Sequence, residues 1–556
     1  MKKITLLILI IAAFTACNTN SKNRFDTIIR NGTIYDGNGG DPYKADIAIN
    51  ADTIAFIGDL KSATAKNEID VKGKAVAPGF INMLSWANES LIADGNSQSD
   101  IRQGVTLEVM GEGTSMGPLN ANMKAEMQNA QTGKVAWNTL GEYLSFLEKK
   151  GVSCNIASFI GAGTVREYVV GKDNRAATSA ELNTMQMLVK QAMQEGAMGI
   201  GSSLIYPPGN FANTDELITI CKEASKYGGM YISHMRSEGN KLNEAVDELI
   251  TIAKEANIPA EIYHLKAAGK NNWNKMEAVI KQVEDARATG VHITADMYTY
   301  LAGATGLTAC FPPTLQDGGF DKLWLRLQDT AIRAQMKIAM NTDAHEWENL
   351  YYASGSPDKV LLLAFKQDTL QKYTGKTLAE VAAIRGTSPE ETAMDLIVQD
   401  STRVGVAFFL MNEENVKKQF SLPWVSFGSD EGSYAPEGGF LLSNPHPRAY
   451  GNFIRVIGHY SRDEKILPLQ QCIYKLSKLP ATNLKLQKRG ELKRGYFADV
   501  VIFDANTVTD HASFDKPHQY ATGVADVFVN GVQVLKNGSH TNEKPGRFIK
   551  GPGYRE

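Results

Sequence analysis

The sequence predicts an α/β protein: a TIM-type (β/α)8 barrel with a small β-sandwich domain built from both termini. Three observations predict it. Short apolar, β-prone runs alternate with amphipathic helical stretches through the middle of the chain. Two of those runs, YISH and EIYH, end in His234 and His264, and each is followed two residues later by a basic residue, Arg236 or Lys266. The two ends of the chain carry a different texture, short alternating strands punctuated by glycine turns. A strand that delivers a histidine at its C-terminal end, a helix, then another such strand is the logic of a barrel whose chemistry sits at the strand C-termini. With 556 residues the chain exceeds the usual single-domain size, so a large domain with an accessory part is expected.

In chain order, residues 1–17 read as a secretory signal rather than as part of the fold. Lys2 and Lys3 form a basic n-region, Leu6 to Phe14 an apolar stretch, and Thr15-Ala16-Cys17 resembles a bacterial lipoprotein cleavage site with Cys17 as the lipidated residue. The run is too short to span a bilayer. The expected location is the periplasmic side of a bacterial membrane, with membrane contact only through a lipid anchor at Cys17. Residues 18–80 supply the N-terminal part of the β-sandwich, with Asn-Gly, Gly-Gly and Lys-Gly turns. Residues 490–556 supply its C-terminal part. The barrel occupies 81–489. Its eight strand candidates are Val76–Met83, Gly104–Met110, Ser153–Ile160, Met198–Ser202, Gly229–His234, Ala260–His264, His292–Met297 and Trp424–Asp430. Helical stretches such as SAELNTMQMLVKQAMQEG and NEAVDELITIAKEA separate them. The long interval from Tyr300 to Val404 predicts an insertion or lid.

Composition narrows the function classes. The chain is 43% hydrophobic and 21% charged, with a net charge of -3, which gives no electrostatic case for nucleic-acid binding. Beyond Cys17, Cys154, Cys221, Cys310 and Cys472 are widely spaced with no CxxC, so neither a disulfide framework nor a cysteine zinc site is expected. Neutral imidazole at a barrel mouth is a common zinc ligand, and His234 and His264 on successive strands form the candidate pair.

A set of longer stretches then resembles a known family. VAPGFI (76–81), GVTLEV (104–109), SSLIYPPG (202–209), YISHMRSEG (231–239) and YHLKAAGKNNW (263–273) begin the set. TADMYTYLAGATG (294–306), FGSDEG (427–432), NPHPRAYGNFIRV (444–456) and KLPATNLKLQKRGELKRGYFADVVIFD (478–504) complete it. Together they are similar to the amidohydrolase superfamily, and within it to the N-acyl-D-amino-acid deacylases. The resemblance covers nearly everything after residue 25. It implies a barrel with ligands on strands one, two, five, six and eight. His234 and His264 then fall on the fifth- and sixth-strand positions and Asp430 on the catalytic eighth-strand position. It also implies a substrate contact for Tyr298 and a preference for D-amino acids.

Two departures from the family pattern bear on the metal. Where the family's first strand carries two histidines, this chain has Leu84 and Trp86, neither of which can bind a metal. A two-metal site is therefore not expected, and one zinc ion per chain is. Where the second strand carries a cysteine, this chain has Gly113, preceded by Glu112. A carboxylate carries the charge of a thiolate and binds zinc, so Glu112, His234 and His264 would form a two-histidine, one-carboxylate site. Glu108, four residues earlier, is the alternative ligand.

The expected chemistry is attack of a metal-activated hydroxide on an amide carbonyl, with Asp430 as proton shuttle to the leaving amine. The expected substrate is a small N-acyl amino acid, whose carboxylate needs a cation. Lys266 is one candidate, on the side of His264 if that strand continues, and Arg448 is the other. Two alternatives stay open from sequence: a barrel that lost catalysis and binds a small acylated ligand, or a hydrolase of another small amide such as a dipeptide or cyclic amide.

Overall fold

A computed structural model of the chain describes residues 24–128 and 133–555. The expected signal segment and Cys17 lie outside the described residues. None of the described helices is long and apolar enough to cross a membrane.

Eight parallel strands close the central barrel. In chain order they are Phe80–Asn82, Val105–Met110, Asn155–Ser158, Gly199–Ser203, Met230–His234, Ala260–Ile262, Ile293–Met297 and Val425–Phe427. The first three pair side by side, and the fourth to eighth form a continuous run. The two sets join where Met198 donates to Ser158 at 2.9 Å and where Met83 donates to Phe427 at 3.2 Å. Alternation along each strand divides the apolar side chains between two cores. Leu107, Val109, Phe159, Ile232 and Tyr263 fill the inside with Met83 and Leu84, while Val105, Ile156, Ile200, Tyr231 and Ile262 pack outward on the helices. The helices carry strong end signals. Ser179–Glu195 opens on a capping box of Thr178 and Glu181 and closes on Gly196 at φ 110°.

The expected first strand, Val76–Met83, is two strands in different sheets. Ala75–Pro78 pairs antiparallel with Val500–Phe503 in the terminal sheet, and Phe80–Asn82 begins the barrel. Gly79 makes the break, because a Cβ there would lie 2.2 Å from Thr106 Oγ1. Both ends of the chain meet in one nine-stranded sheet, with Arg24–Ile34 and Tyr43–Asn50 contributed by the N-terminal end and Val500–Phe503 and Val524–Val529 by the C-terminal end. Its core interleaves Ile29, Ile47, Ile49 and Val76 with Val500, Ile502 and Phe528. The last residues leave this sheet and run along the barrel, where Ile156 donates to Arg547 O and Gly551 to Gly196 O.

Between strands seven and eight the expected insertion is a subdomain. Its three-stranded antiparallel sheet, Ala302–Gly306, Val360–Ala364 and Gly405–Phe409, has its own apolar core. It sits over the C-terminal ends of the barrel strands. The four described cysteines, Cys154, Cys221, Cys310 and Cys472, are buried and free.

Candidate active site and metal centre

Glu112, His234 and His264 meet at the mouth of the barrel. Each arrives at the end of a strand, and each is nearly fully buried. Glu112 sits in a turn between Gly111 and Gly113. Gly113 has φ 67°, and a Cβ there would lie 2.3 Å from Ser203 Cβ, so no thiolate fits that position and the carboxylate comes from the residue before it. His234 Nδ1 lies 3.1 Å and His264 Nε2 2.9 Å from the same oxygen, Glu112 Oε1. Among the described residues this is the one cluster of three or more histidine, cysteine or acidic side chains whose ligand atoms could surround one ion, all within 4.8 Å of one another. Two imidazoles and a carboxylate converging on one point are a donor set that suits zinc. Glu108 is elsewhere. Its side chain leaves the opposite face of the strand from Leu107 and Val109, beside Asp100 and Cys154, and burial pushes its carboxyl well up.

A second carboxylate backs the two imidazoles. Glu238 Oε1 lies 2.9 Å from His264 Nδ1, and Glu238 Oε2 lies 3.7 Å from His234 Nε2. The rings therefore stand between Glu112 in front and Glu238 behind. Lys266 Nζ bonds Glu238 Oε1 at 2.5 Å and lies 2.7 Å from His264 Nδ1. Burial alone would raise the Glu112 carboxyl, but attraction to His264 and hydrogen bonds from both rings outweigh it and hold it well below the usual range. For Glu238 burial is outweighed in the same way, first by Lys266 and then by the imidazoles. The backbone N–H of Glu238 donates to Glu348 Oε2 at 2.6 Å, which ties the inserted subdomain to this loop.

Asp430 lines the same cavity as Glu238. Its Oδ2 pairs with Arg448 Nη2 at 2.9 Å, and its Oδ1 accepts the indole N–H of Trp86 at 3.1 Å. The same indole N–H donates to Glu112 Oε2 at 2.8 Å. Burial pushes the Asp430 carboxyl up, and Arg448 offsets this only in part. Both Asp430 and His264 have left-handed backbone, at φ 51° and 34°. Such conformations cost about 1–3 kcal/mol and persist where surrounding bonds impose them. Here Leu84 O accepts from Asp430 N at 2.8 Å, and Asp296 Oδ1 accepts from His264 N at 2.9 Å.

The substrate-binding candidates surround the same cavity, which measures about 520 Å³. Lys266 reaches it by a turn, since the sixth strand ends at Ile262; the expectation that Lys266 lies along a continuing strand is corrected. Tyr298 lies between the cations, its ring 4.3 Å from the Arg448 guanidinium and 5.5 Å from Lys266 Nζ. The Tyr298 hydroxyl and Arg448 Nε and Nη1 have no hydrogen-bond partner among the described residues. His446, with its pKa driven well below the ordinary value by burial and by Arg448, accepts the backbone N–H of Arg448 on Nδ1 at 3.1 Å. Tyr206 packs edge-on against His234 at 5.2 Å. Leu350, Leu363, Val406 and Phe408 of the inserted subdomain give the cavity an apolar wall.

Sequence reasoning missed Trp86, Glu238 and Glu348. Trp86 entered only as a missing histidine, although the indole is a hydrogen-bond donor. Glu238 was within reach of the sequence, as a carboxylate four residues past His234. Nothing in the sequence marks Glu348, which acts from the insertion.

The wider comparisons agree with this geometry. Residues 67–535 match the Amidohydrolase family. D-aminoacylase of Alcaligenes xylosoxydans xylosoxydans is 32% identical over 528 residues, covering 94% of this chain and 97% of that one. A solved D-aminoacylase, studied for one-metal activation and second-metal attenuation of its binuclear centre, superposes with a TM-score of 0.78 at 31% identity, covering 95% of this chain and 100% of that one. The N-acyl-D-glutamate deacylase of Bordetella bronchiseptica, solved with zinc and a phosphonate mimic of the tetrahedral intermediate, gives 0.79 at 26% identity, with the same coverage of 95% and 100%. By fold and by sequence, along most of its length, this chain belongs to the amidohydrolase family.

Proposed function

We propose that this chain is a hydrolase that removes the acyl group from N-acyl-D-amino acids, using one zinc ion per chain held by Glu112, His234 and His264. One observation carries the reading: the donor cluster, the Asp430 carboxylate, Lys266, Arg448 and Tyr298 all line one cavity. Zinc, when bound, supplies a Lewis acid that polarises an amide carbonyl and makes water nucleophilic near neutral pH.

The chain's own residues do the rest. Asp430 takes a proton from the attacking water and returns it to the leaving nitrogen, so that amide and water become carboxylate and amine. Its raised pKa places it nearer the working pH than an ordinary aspartate. Arg448, through its unpaired N–H groups, and the Tyr298 hydroxyl bind the substrate carboxylate, with Lys266 beside them. The apolar wall receives the acyl group and excludes water. The D-preference is supported by the relatives named above.

The test is amine release from N-acetyl amino acids of both hands, with elemental analysis of the purified protein. We expect release from the D-series and one zinc per chain, lost in His234→Ala and His264→Ala. No release from any member, or two tightly bound ions, would sink the reading. We further propose export and lipidation at Cys17, supported by the basic, apolar and small-residue order of residues 1–17. Cys17→Ser should change processing and membrane association; unchanged behaviour of both contradicts it.

A further inference from the structure

The indole of Trp86 occupies a position that the hydrolytic reading does not explain. Trp86 is 38% exposed and lines the cavity, yet its N–H is shared by two carboxylates, Glu112 Oε2 at 2.8 Å and Asp430 Oδ1 at 3.1 Å. Its backbone is fixed to the segment that follows strand eight, where Trp86 N donates to Glu431 O at 2.9 Å. Every oxygen of both carboxylates has an assigned partner. Glu112 Oε1 faces the imidazoles, Asp430 Oδ2 faces Arg448, and the two remaining oxygens share one indole N–H. Two carboxylates brought together in a buried site repel each other, and a donor placed between them offsets that repulsion. An indole N–H can do this and nothing more, because it has no lone pair for a metal and does not ionise.

We propose that Trp86 is a positioning residue that takes the place of a second cation. Its N–H holds Asp430 against the ligand carboxylate Glu112, fixes the base toward the scissile bond, and commits the site to a single ion. The inference rests on the hydrolytic reading of Asp430 and goes beyond it. It also accounts for Leu84, which is fully buried in the inner core and contributes only its carbonyl, accepting from Asp430 N at 2.8 Å.

Three measurements on the full-length protein test this. The chain has six tryptophans, so ¹⁵N-indole spectra can be assigned with Trp86→Phe as the reference. In the wild-type protein the Trp86 N–H should exchange slowly with water, and its resonance should move in Asp430→Asn. Exchange at the rate of a free indole, or an unmoved resonance, overturns the bridge, and this result needs no folded Trp86 variant. In Trp86→Phe, kcat should fall by roughly ten- to a hundredfold, the value of a lost hydrogen bond to a charged group, with KM little changed. A kcat within about twofold of wild type would reduce Trp86 to a space-filler. Finally, Leu84→His/Trp86→His should take up a second zinc per chain; uptake of one only contradicts the idea that the indole replaces a cation. Failure of the wild-type protein to release amine would instead fail the hydrolytic reading, while the indole exchange still reports the bridge.

Discussion

Glu238→Gln should loosen the metal while leaving all three proposed ligands in place. In the wild-type protein one carboxylate faces the rear nitrogens of both rings, 2.9 Å from His264 Nδ1 and 3.7 Å from His234 Nε2. To present a lone pair at Nε2, His264 must carry its proton on Nδ1, and Glu238 is the acceptor that favours that tautomer. His234 must do the reverse, with its proton on Nε2 and its lone pair on Nδ1. A glutamine accepts more weakly, and it loses the charge that holds Lys266 Nζ at 2.5 Å. Lys266 is then free to donate to His264 Nδ1, 2.7 Å away, which favours the tautomer that cannot ligate. Losing a charge-assisted hydrogen bond of about 1.5–3 kcal/mol matches the ten- to hundredfold fall in metal affinity typical of such outer partners. The assay is competition for zinc against a chromophoric chelator at fixed pH, with ¹⁵N-histidine spectra of the loaded protein to read each tautomer. Affinity within about twofold of wild type, or the same tautomer on both rings, would refute the reasoning.

Three further outcomes follow from the site. Asp430→Asn should keep the zinc, since Asp430 is not among the proposed ligands, and lose roughly 10²–10⁴-fold in turnover, read as kcat beside metal content. Glu112→Gln should lose metal affinity instead, and excess zinc should restore part of its activity in the same assay; full metal content would remove Glu112 as a ligand. Arg448→Gln should move the acid limb of the pH–rate profile. Burial raises the Asp430 carboxyl and Arg448 pulls it down, so removing Arg448 lets the pKa rise further. The base works only when deprotonated, so activity should appear at higher pH than in wild type; an unmoved limb would remove Asp430 as the titrating base.

How much of this was legible in the sequence depended on whether a residue acts through its own strand. His234 stands at the end of a short β-prone run, and period and punctuation are enough to find it; Asp430 ends another such run, but only the family resemblance marked it as catalytic. His264 was found the same way, although its ladder ends at Ile262 and its backbone turns left-handed. The first strand misled because Val76–Met83 is a nearly continuous apolar run, while its two halves pair in different sheets on either side of Gly79, where Thr106 leaves no room for a side chain. Trp86 and Glu348 were beyond reach for a different reason. Each acts across elements far apart in the chain, Trp86 on Asp430 and Glu348 on the N–H of Glu238, and no local pattern encodes such a pairing. The choice between Glu112 and Glu108 likewise needed the pleat and the Gly113 turn in three dimensions.

The sheet built from both ends of the chain has a consequence for how the protein is made. Val76 lies against Ile502, and its strand also pairs with the one beginning at Arg24. The N-terminal strands emerge from the ribosome first, yet they have an unpaired edge until the C-terminal strands arrive. The segment around Arg547 then lies along the third barrel strand, bonded to Ile156. Val500–Phe503 must therefore be made before the sheet can close, and Arg547 before that side of the barrel can. Contacts of such long sequence separation are slow to form. Until then the first-made strands keep an open edge, and a stop codon before Val500 would leave Ala75–Pro78 without its C-terminal partner.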